Sequence, residues 1–146
     1  MNSTAIEILL IEDNPNDVEL TLDALKKQNL TNNIKVLEDG ALALDYIFAR
    51  GKYSDRKISD QPKLILLDLK LPKVSGLEVL KKIKSDKRTK KIPVVILTSS
   101  NEEQDIIKSY ENGANSYIVK PVNFEMFTKS VKEIGMYWLL LNEPPG

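Results

Sequence analysis

The chain has no cysteine and no histidine among its 146 residues. The first absence excludes disulfides, thiol nucleophiles and cysteine zinc sites. The second excludes a Ser-His-Asp triad, an imidazole base and any histidine-ligated metal within the chain. If histidine chemistry is involved, the histidine belongs to a partner. There is no charge imbalance either: 21 basic residues meet 21 acidic ones, so no global field points to nucleic acid or an anionic membrane. No apolar run approaches the roughly 20 residues a membrane helix needs. The opening MNSTAIEILL lacks the basic start of a signal peptide. The expectation is a cytoplasmic protein with no membrane and no nucleic-acid partner.

What the chain does contain is an ordinary globular mixture, 42% apolar and 29% charged, at a length that suits one domain with a real core. Short apolar runs alternate with amphipathic stretches. The strong runs are Ile6 to Ile11, Lys63 to Leu67 and Val94 to Leu97, and the weaker ones are Ile34 to Leu37 and Ser116 to Val119. Such Ile, Val and Leu runs suit strands buried on both faces of a parallel sheet. Between them, Val18, Leu22 and Leu25 recur at helical spacing, as do Leu77, Leu80 and Ile83, and Ile106, Tyr110 and Gly113. The order is βα five times over, an α/β fold of parallel strands with helices on both faces. Asp13 is a candidate cap for the first helix, with Pro15 in its opening turn. Pro62 and Pro93 precede strands, and Gly113 suits a helix stop. The polar segment Arg50 to Gln61 reads as an enlarged surface loop.

The final helix carries a stripe of Phe124, Phe127, Val131, Ile134, Trp138 and Leu141 that should face the sheet. Met136, Tyr137, Leu139 and Leu140 fall off that stripe, leaving an apolar surplus that something should cover. The expected cover is a second copy, in a homodimer through this helix; the plainer alternative is that these residues wrap back over the chain's own first helix. Only NEPPG follows, so residues 1–146 are expected to be one domain with no output domain.

The carboxyl ends of parallel strands line the ligand crevice of such a sheet, so the polar residues closing the strand runs are the ones to collect. They are Glu12 and Asp13, then Asp68, then Thr98, then Lys120 before Pro121. Three carboxylates, a hydroxyl and an ammonium therefore meet at one edge. Clustered carboxylates repel one another, and a hard dication such as Mg²⁺ relieves that. Each residue alone has a plainer reading: helix caps for Glu12, Asp13 and Thr98, a turn for Asp68, a strand end for Lys120. Together those readings require four coincidences at one sheet edge.

Glu12-Asp13, Asp68 in LLDLKLP, Thr98 in ILTSS and Lys120-Pro121 in SYIVKP resemble the receiver domain of two-component response regulators, along essentially the whole chain. The long GKYSDRKISDQPKLILLDLKLPKVSGLEVL segment and the VKEIGMYWLLLNEPP tail are most similar to the cyanobacterial phytochrome response regulators and their bacterial relatives. The resemblance implies a flavodoxin-like, doubly wound five-stranded sheet of order 2-1-3-4-5. It implies that Asp68 takes a phosphoryl group from a phosphohistidine of a sensor histidine kinase, of phytochrome type where the subfamily likeness holds, or of a phosphotransfer protein. It further implies Mg²⁺ on Glu12, Asp13, Asp68 and the Lys70 backbone carbonyl, with Lys120 and Thr98 on the phosphoryl oxygens. Thr98 and Tyr117 would be the switch pair, Pro121 would follow a cis bond, and an unknown downstream protein would read the result. Glu12 departs from the commoner Asp.

Two rivals remain open at this point. A phosphatase of the haloacid dehalogenase type uses D-x-D, and Asp68-Leu69-Lys70 lacks the second acid. A pseudo-receiver usually loses one of the acids, the Thr or the Lys, and all are here. The basic run Lys81, Lys82, Lys84, Lys87, Arg88, Lys90 and Lys91 lacks interleaved aromatics, so it reads as a solvated face, with an acidic docking partner as the alternative.

Overall fold

In the computed structural model the residues described are 8–27, 33–120, 125, 126 and 129. The strands are β1 (Ile8–Ile11), β2 (Ile34–Leu37), β3 (Leu64–Leu67), β4 (Val94–Thr98) and β5 (Ser116–Val119). The helices are α1 (Pro15–Lys27), α2 (Gly40–Ile47), α3 (Gly76–Ser85) and α4 (Glu103–Glu111). All strand pairs are parallel, in the order β2-β1-β3-β4-β5, the flavodoxin-like order the resemblance implies. The two weaker apolar runs are the two edge strands, β2 and β5. They need less burial because, among the described residues, one side of each has no neighbouring strand. The expected final helix, its stripe and apolar surplus, and Pro121 lie outside the described residues.

Strand alternation sorts the core into two layers. Leu9, Ile11, Ile65, Leu67, Val94 and Ile96 pack on one face with Ala43, Leu44 and Ile47 of α2 and Val79, Leu80 and Ile83 of α3. Ile8, Leu10, Leu64, Leu66, Val95, Leu97 and Ile118 pack on the other with Leu25, Val18 and Leu22 of α1. Two details differ from the sequence reading. Asn14, not Asp13, caps α1: its Oδ1 accepts the Asn16 and Asp17 amides at 2.9 and 3.3 Å, which frees Asp13 for the strand edge. Tyr110 is 49% exposed and Ile107 47%; the buried residue of α4 is Ser109, so the stripe drawn through Tyr110 does not face the core.

The segment 50–61 is more ordered than a polar loop. It opens with a 3-10 turn at Gly51–Tyr53 and folds back on the end of α2. The Arg56 guanidinium lies 3.8 Å from the Tyr46 ring centroid and donates to the Tyr46 carbonyl, while Gln61 Nε2 donates to the Ile47 carbonyl at 2.8 Å. Those carbonyls belong to the last helical turn, which has no partners within its own helix. Lys84 does similar work for the α3–β4 connection. Its Nζ reaches the Lys90 and Ile92 carbonyls at 3.1 and 2.7 Å. Burial lowers its pKa from the ordinary lysine value. One member of the basic run is therefore turned inward, and the other six are exposed.

Helix α2 ends in a Schellman motif. The Arg50 amide bonds the Asp45 carbonyl at 2.9 Å and the Ala49 amide the Tyr46 carbonyl at 3.3 Å. That geometry puts Ala49 at φ 53°, a left-handed conformation that favours glycine. Ala49→Gly should stabilise the fold by about 1 kcal/mol and raise the melting midpoint by ~2–4 °C. A melting curve followed by circular dichroism checks this, and an unchanged or lower midpoint contradicts it.

Candidate functional site

Register assembles the site. Ile11 pairs with Leu67 across β1 and β3, so the next residue of each strand, Glu12 and Asp68, emerge side by side. The Asp68 amide donates to the Ile11 carbonyl at 3.1 Å, continuing the ladder by one residue. Across the sheet Thr98 pairs with Val119, and the Lys120 amide donates to the Thr98 carbonyl at 2.8 Å. Glu12, Asp68 and Thr98 are 2%, 7% and 0% exposed. Asp13 is exposed.

One carboxylate oxygen from each of Glu12, Asp13 and Asp68 lies within 4.8 Å of the others. The Lys120 ammonium sits among the acids, 3.1 Å from Asp68 Oδ2, 2.9 Å from Asp17 Oδ2 and paired with Glu12 Oε1. Asp17 is the residue sequence reasoning missed. It sits in the first turn of α1, and a carboxylate four residues beyond Asp13 was the available signal. Burial raises the Glu12 pKa to about 7, against the hydrogen bond from Lys120 and with the help of the Asp68 charge. For Lys120, burial pulls the pKa down, but hydrogen bonds to Asp17 and Glu12 and the Asp68 charge outweigh it, and the ammonium is held above the ordinary lysine range. Four carboxylates against one ammonium leave a negative excess. An all-oxygen donor set with that excess fits a hard dication such as Mg²⁺ or Mn²⁺ and not a thiolate or imidazole metal.

Two loops flank Asp68 and are held differently. The loop after β3 is clamped by backbone contact. A Cβ on Gly76 would stand 2.0 Å from the Asp68 carbonyl oxygen, and one on Gly40 1.9 Å from the Val74 carbonyl oxygen. The Gly76 and Gly40 amides bond the Leu69 and Pro72 carbonyls at 2.8 and 3.2 Å. Between these clamps the chain makes a tight γ-turn, with the Val74 amide on the Pro72 carbonyl at 2.8 Å and Lys73 at φ 70°. Such a turn is strained for any residue but glycine. Inside the loop the Lys70 amide donates to Asp68 Oδ1 at 3.4 Å, so the backbone expected to offer its carbonyl to a metal lies against the Asp68 carboxylate.

The loop after β4 is tied by side chains. The Ser100 amide donates to Thr98 Oγ1 at 3.4 Å, Ser100 Oγ donates to Asp105, and the Tyr117 hydroxyl donates to the Ser100 carbonyl at 2.9 Å. Thr98 does not cap α4. Glu102 holds that position without a side-chain cap, and the Glu102 amide bonds Ser100 Oγ at 3.3 Å. The switch pair of the sequence reading, Thr98 and Tyr117, is thus joined through Ser100.

Comparison with known proteins agrees with this geometry. Residues 8–132 match the family model of the response regulator receiver domain. The chain is similar to the probable methanogenesis regulatory protein FilR2 of Methanothrix harundinacea (strain 6Ac), with 42% identity over 95% of this chain and 87% of that protein. Among solved structures it is similar to the bacteriophytochrome response regulator RtBRR, with 51% identity, a TM-score of 0.84 and coverage of 96% of this chain and 84% of that one. It is also similar to the Mn²⁺-bound form of response regulator Rcp1, with 39% identity, a TM-score of 0.75 and coverage of 97% and 99%.

With divalent cations chelated, the Glu12 side-chain carboxyl should titrate near pH 7 and not near the ordinary 4.5. The charged groups that face it are Lys120 from the end of β5, Asp68 from the end of β3, and Asp13 and Asp17 at the start of α1. An acid whose pKa is raised on folding holds its proton more tightly folded than unfolded. Stability should therefore fall as pH rises from about 4.5 to about 7 through this group. Carbon-13 shifts of the labelled carboxyl measure the midpoint directly, and a value near 4.5 contradicts the expected burial effect.

Proposed function

The chain belongs to the response regulator receiver family, and from that premise we propose that Asp68 accepts a phosphoryl group from a phosphohistidine of a sensor histidine kinase or phosphotransfer protein. The observation that carries this reading is the pairing of a buried carboxylate at the end of the central strand with an ammonium 3.1 Å away. An Asp68 carboxylate oxygen attacks phosphorus, the phosphorus–nitrogen bond to the donor imidazole breaks, and the imidazole keeps the electron pair and takes up a proton. The product is an acyl phosphate. Lys120 then trades its pairing with Asp68 for one with a phosphoryl oxygen. The Thr98 hydroxyl donates to another.

Mg²⁺ held by Glu12, Asp13, Asp68 and the Lys70 carbonyl would supply charge compensation for the phosphoryl oxygens. Thr98 cannot turn toward a phosphoryl group without disturbing the Ser100 amide bond, and through Ser100 it reaches Tyr117 and α4. That coupling is the switch, and a downstream protein reads it by contact. The protein is a signalling component and not an enzyme with a substrate to turn over, apart from slow hydrolysis of its own acyl phosphate. The similarity to RtBRR favours a kinase of phytochrome type. No described helix is long and apolar enough to cross a membrane, which accords with action in the cytoplasm.

With Mg²⁺ and acetyl phosphate, wild type should gain an acid-labile phosphoryl group by intact-protein mass, and Asp68→Asn should gain none. Full-yield labelling of Asp68→Asn rules out the assignment. Thr98→Ala should still accept phosphate but lose most of the amide shift of the α4 region on adding beryllofluoride. An undiminished shift contradicts the coupling.

The homodimer belongs to the same reading. Met136, Tyr137, Leu139 and Leu140, the apolar surplus of the helix expected from the sequence, support it, as do Ile107 and Tyr110, exposed on α4. Sedimentation at micromolar concentration should find a dimer that Leu140→Asp converts to a folded monomer; a wild-type monomer, with and without phosphate, sinks the idea.

A further inference from the structure

The two edges of the sheet carry opposite charge. The carboxyl edge gathers Glu12, Asp13, Asp17 and Asp68. Helices connecting parallel strands run back against them, so α2 and α3 finish at the opposite, amino edge. Between their last turns lies a cavity of about 420 Å³ lined by Phe48, Arg50, Lys82, Ser85, Asp86 and Arg88. The Arg50 and Arg88 guanidiniums stand 5.7 and 5.9 Å from the Phe48 ring centroid. Each is steadied by one carboxylate, Arg50 by Asp45 at 3.1 Å and Arg88 by Asp86 at 2.8 Å. Both remain open to solvent, their side chains 57% and 59% exposed. Lys82 adds a third cation, and the exposed remainder of the basic run continues past it.

We propose that this groove docks an acidic peptide segment of a partner protein. Carboxylates of the segment would meet Arg50, Lys82 and Arg88, and an apolar side chain would lie against Phe48. Charge complementarity selects the occupant. Within residues 81–91 there are seven basic residues and one acid, and that acid is already committed to Arg88. The guanidiniums are oriented before any ligand arrives, which lowers the entropic cost of binding a carboxylate. The cavity is of a size to take a few side chains. Nucleic acid fits less well, because the cavity lining has one aromatic ring, Phe48, whereas grooves for single strands stack successive bases on several. The groove lies at the edge away from Asp68, so the contact is separate from phosphoryl transfer and persists in both states of the acceptor.

The test uses the full chain and a fluorescein-labelled, glutamate-rich peptide carrying one phenylalanine, followed by fluorescence anisotropy at low salt. Wild type and Asp68→Asn should bind alike. The double variant Lys82→Glu, Arg88→Glu should bind about tenfold more weakly or worse, and added salt should weaken wild type in the same direction. The same double variant should bind a lysine-rich peptide of matching design better than wild type does, an outcome that a merely unfolded variant cannot produce. The proposal is overturned if a glutamine version of the peptide binds wild type equally well. It is also overturned if the double variant keeps full affinity for the glutamate peptide, or if a single-stranded oligonucleotide binds more tightly than the peptide. Loss of phosphoryl acceptance at Asp68 with peptide binding intact would count against the function proposed for that residue and leave this groove standing.

Discussion

The ammonium of Lys120 among the carboxylates of Glu12, Asp17 and Asp68 is the interaction on which the site depends. Glu12 and Asp68 at the ends of adjacent strands and Asp17 in the first turn of α1 repel one another, and the sheet cannot splay to relieve them because the strand residues before Glu12 and Asp68 are packed on both faces. Lys120 brings one positive charge from the far end of β5, 108 residues along the chain from Glu12. Its own backbone is fixed by the bond to the Thr98 carbonyl, so the charge is positioned by the sheet and not by side-chain freedom. One cation does not balance four acids. What it leaves is a deficit: enough repulsion to suit a hard dication, not enough to open the strands.

Stiffness around that charge cluster is uneven. After β3, Gly40 and Gly76 bring helix starts into backbone contact with the loop, at distances where any Cβ would collide. That loop can hold Lys73 in a strained γ-turn because both ends are gripped. After β4 the ties are hydrogen bonds of Ser100 to Thr98, Asp105, Glu102 and Tyr117. Hydrogen bonds exchange partners at small net cost, whereas backbone clamps do not. A phosphoryl group on Asp68 would therefore find a rigid wall on one side and a rearrangeable one on the other. Under the proposed function that asymmetry would direct the response toward Thr98, Tyr117 and α4.

The strands and the cluster at their carboxyl edge were legible in the sequence because both rest on short-range patterns. Apolar runs of four or five residues mark buried strands, and the polar residue that ends each run must fall at the crevice. Legibility failed where the decisive contact is made in three dimensions. Asp13 and Asn14 are both good caps on paper; only the chain's path off β1 makes Asn14 the cap. Tyr110 fits a helical stripe by spacing, but α4 lies beside an edge strand and buries little of that stripe. Asp17 has the composition of any first-turn acid until Lys120 arrives from β5. Lys84 cannot be told from its neighbours in a run of lysines, although it alone turns back to the carbonyls of its own connection.

Zero net charge was a fair reason to exclude a polyanion attracted to the whole molecule, and a poor guide to its individual faces. The sum hides a separation along the strand axis. Acids collect where strands end, at the crevice edge of the sheet. Bases collect where α2 and α3 end, where helix dipoles favour cations. Fields fall off over about 8–10 Å in physiological salt, so each face acts on partners by its local charge and not by the total. A receiver with this polarity presents clustered carboxylates at one edge and open guanidiniums at the other. Composition alone cannot reveal that division of labour; it follows from the topology that sends the strand ends and the ends of these helices to opposite sides.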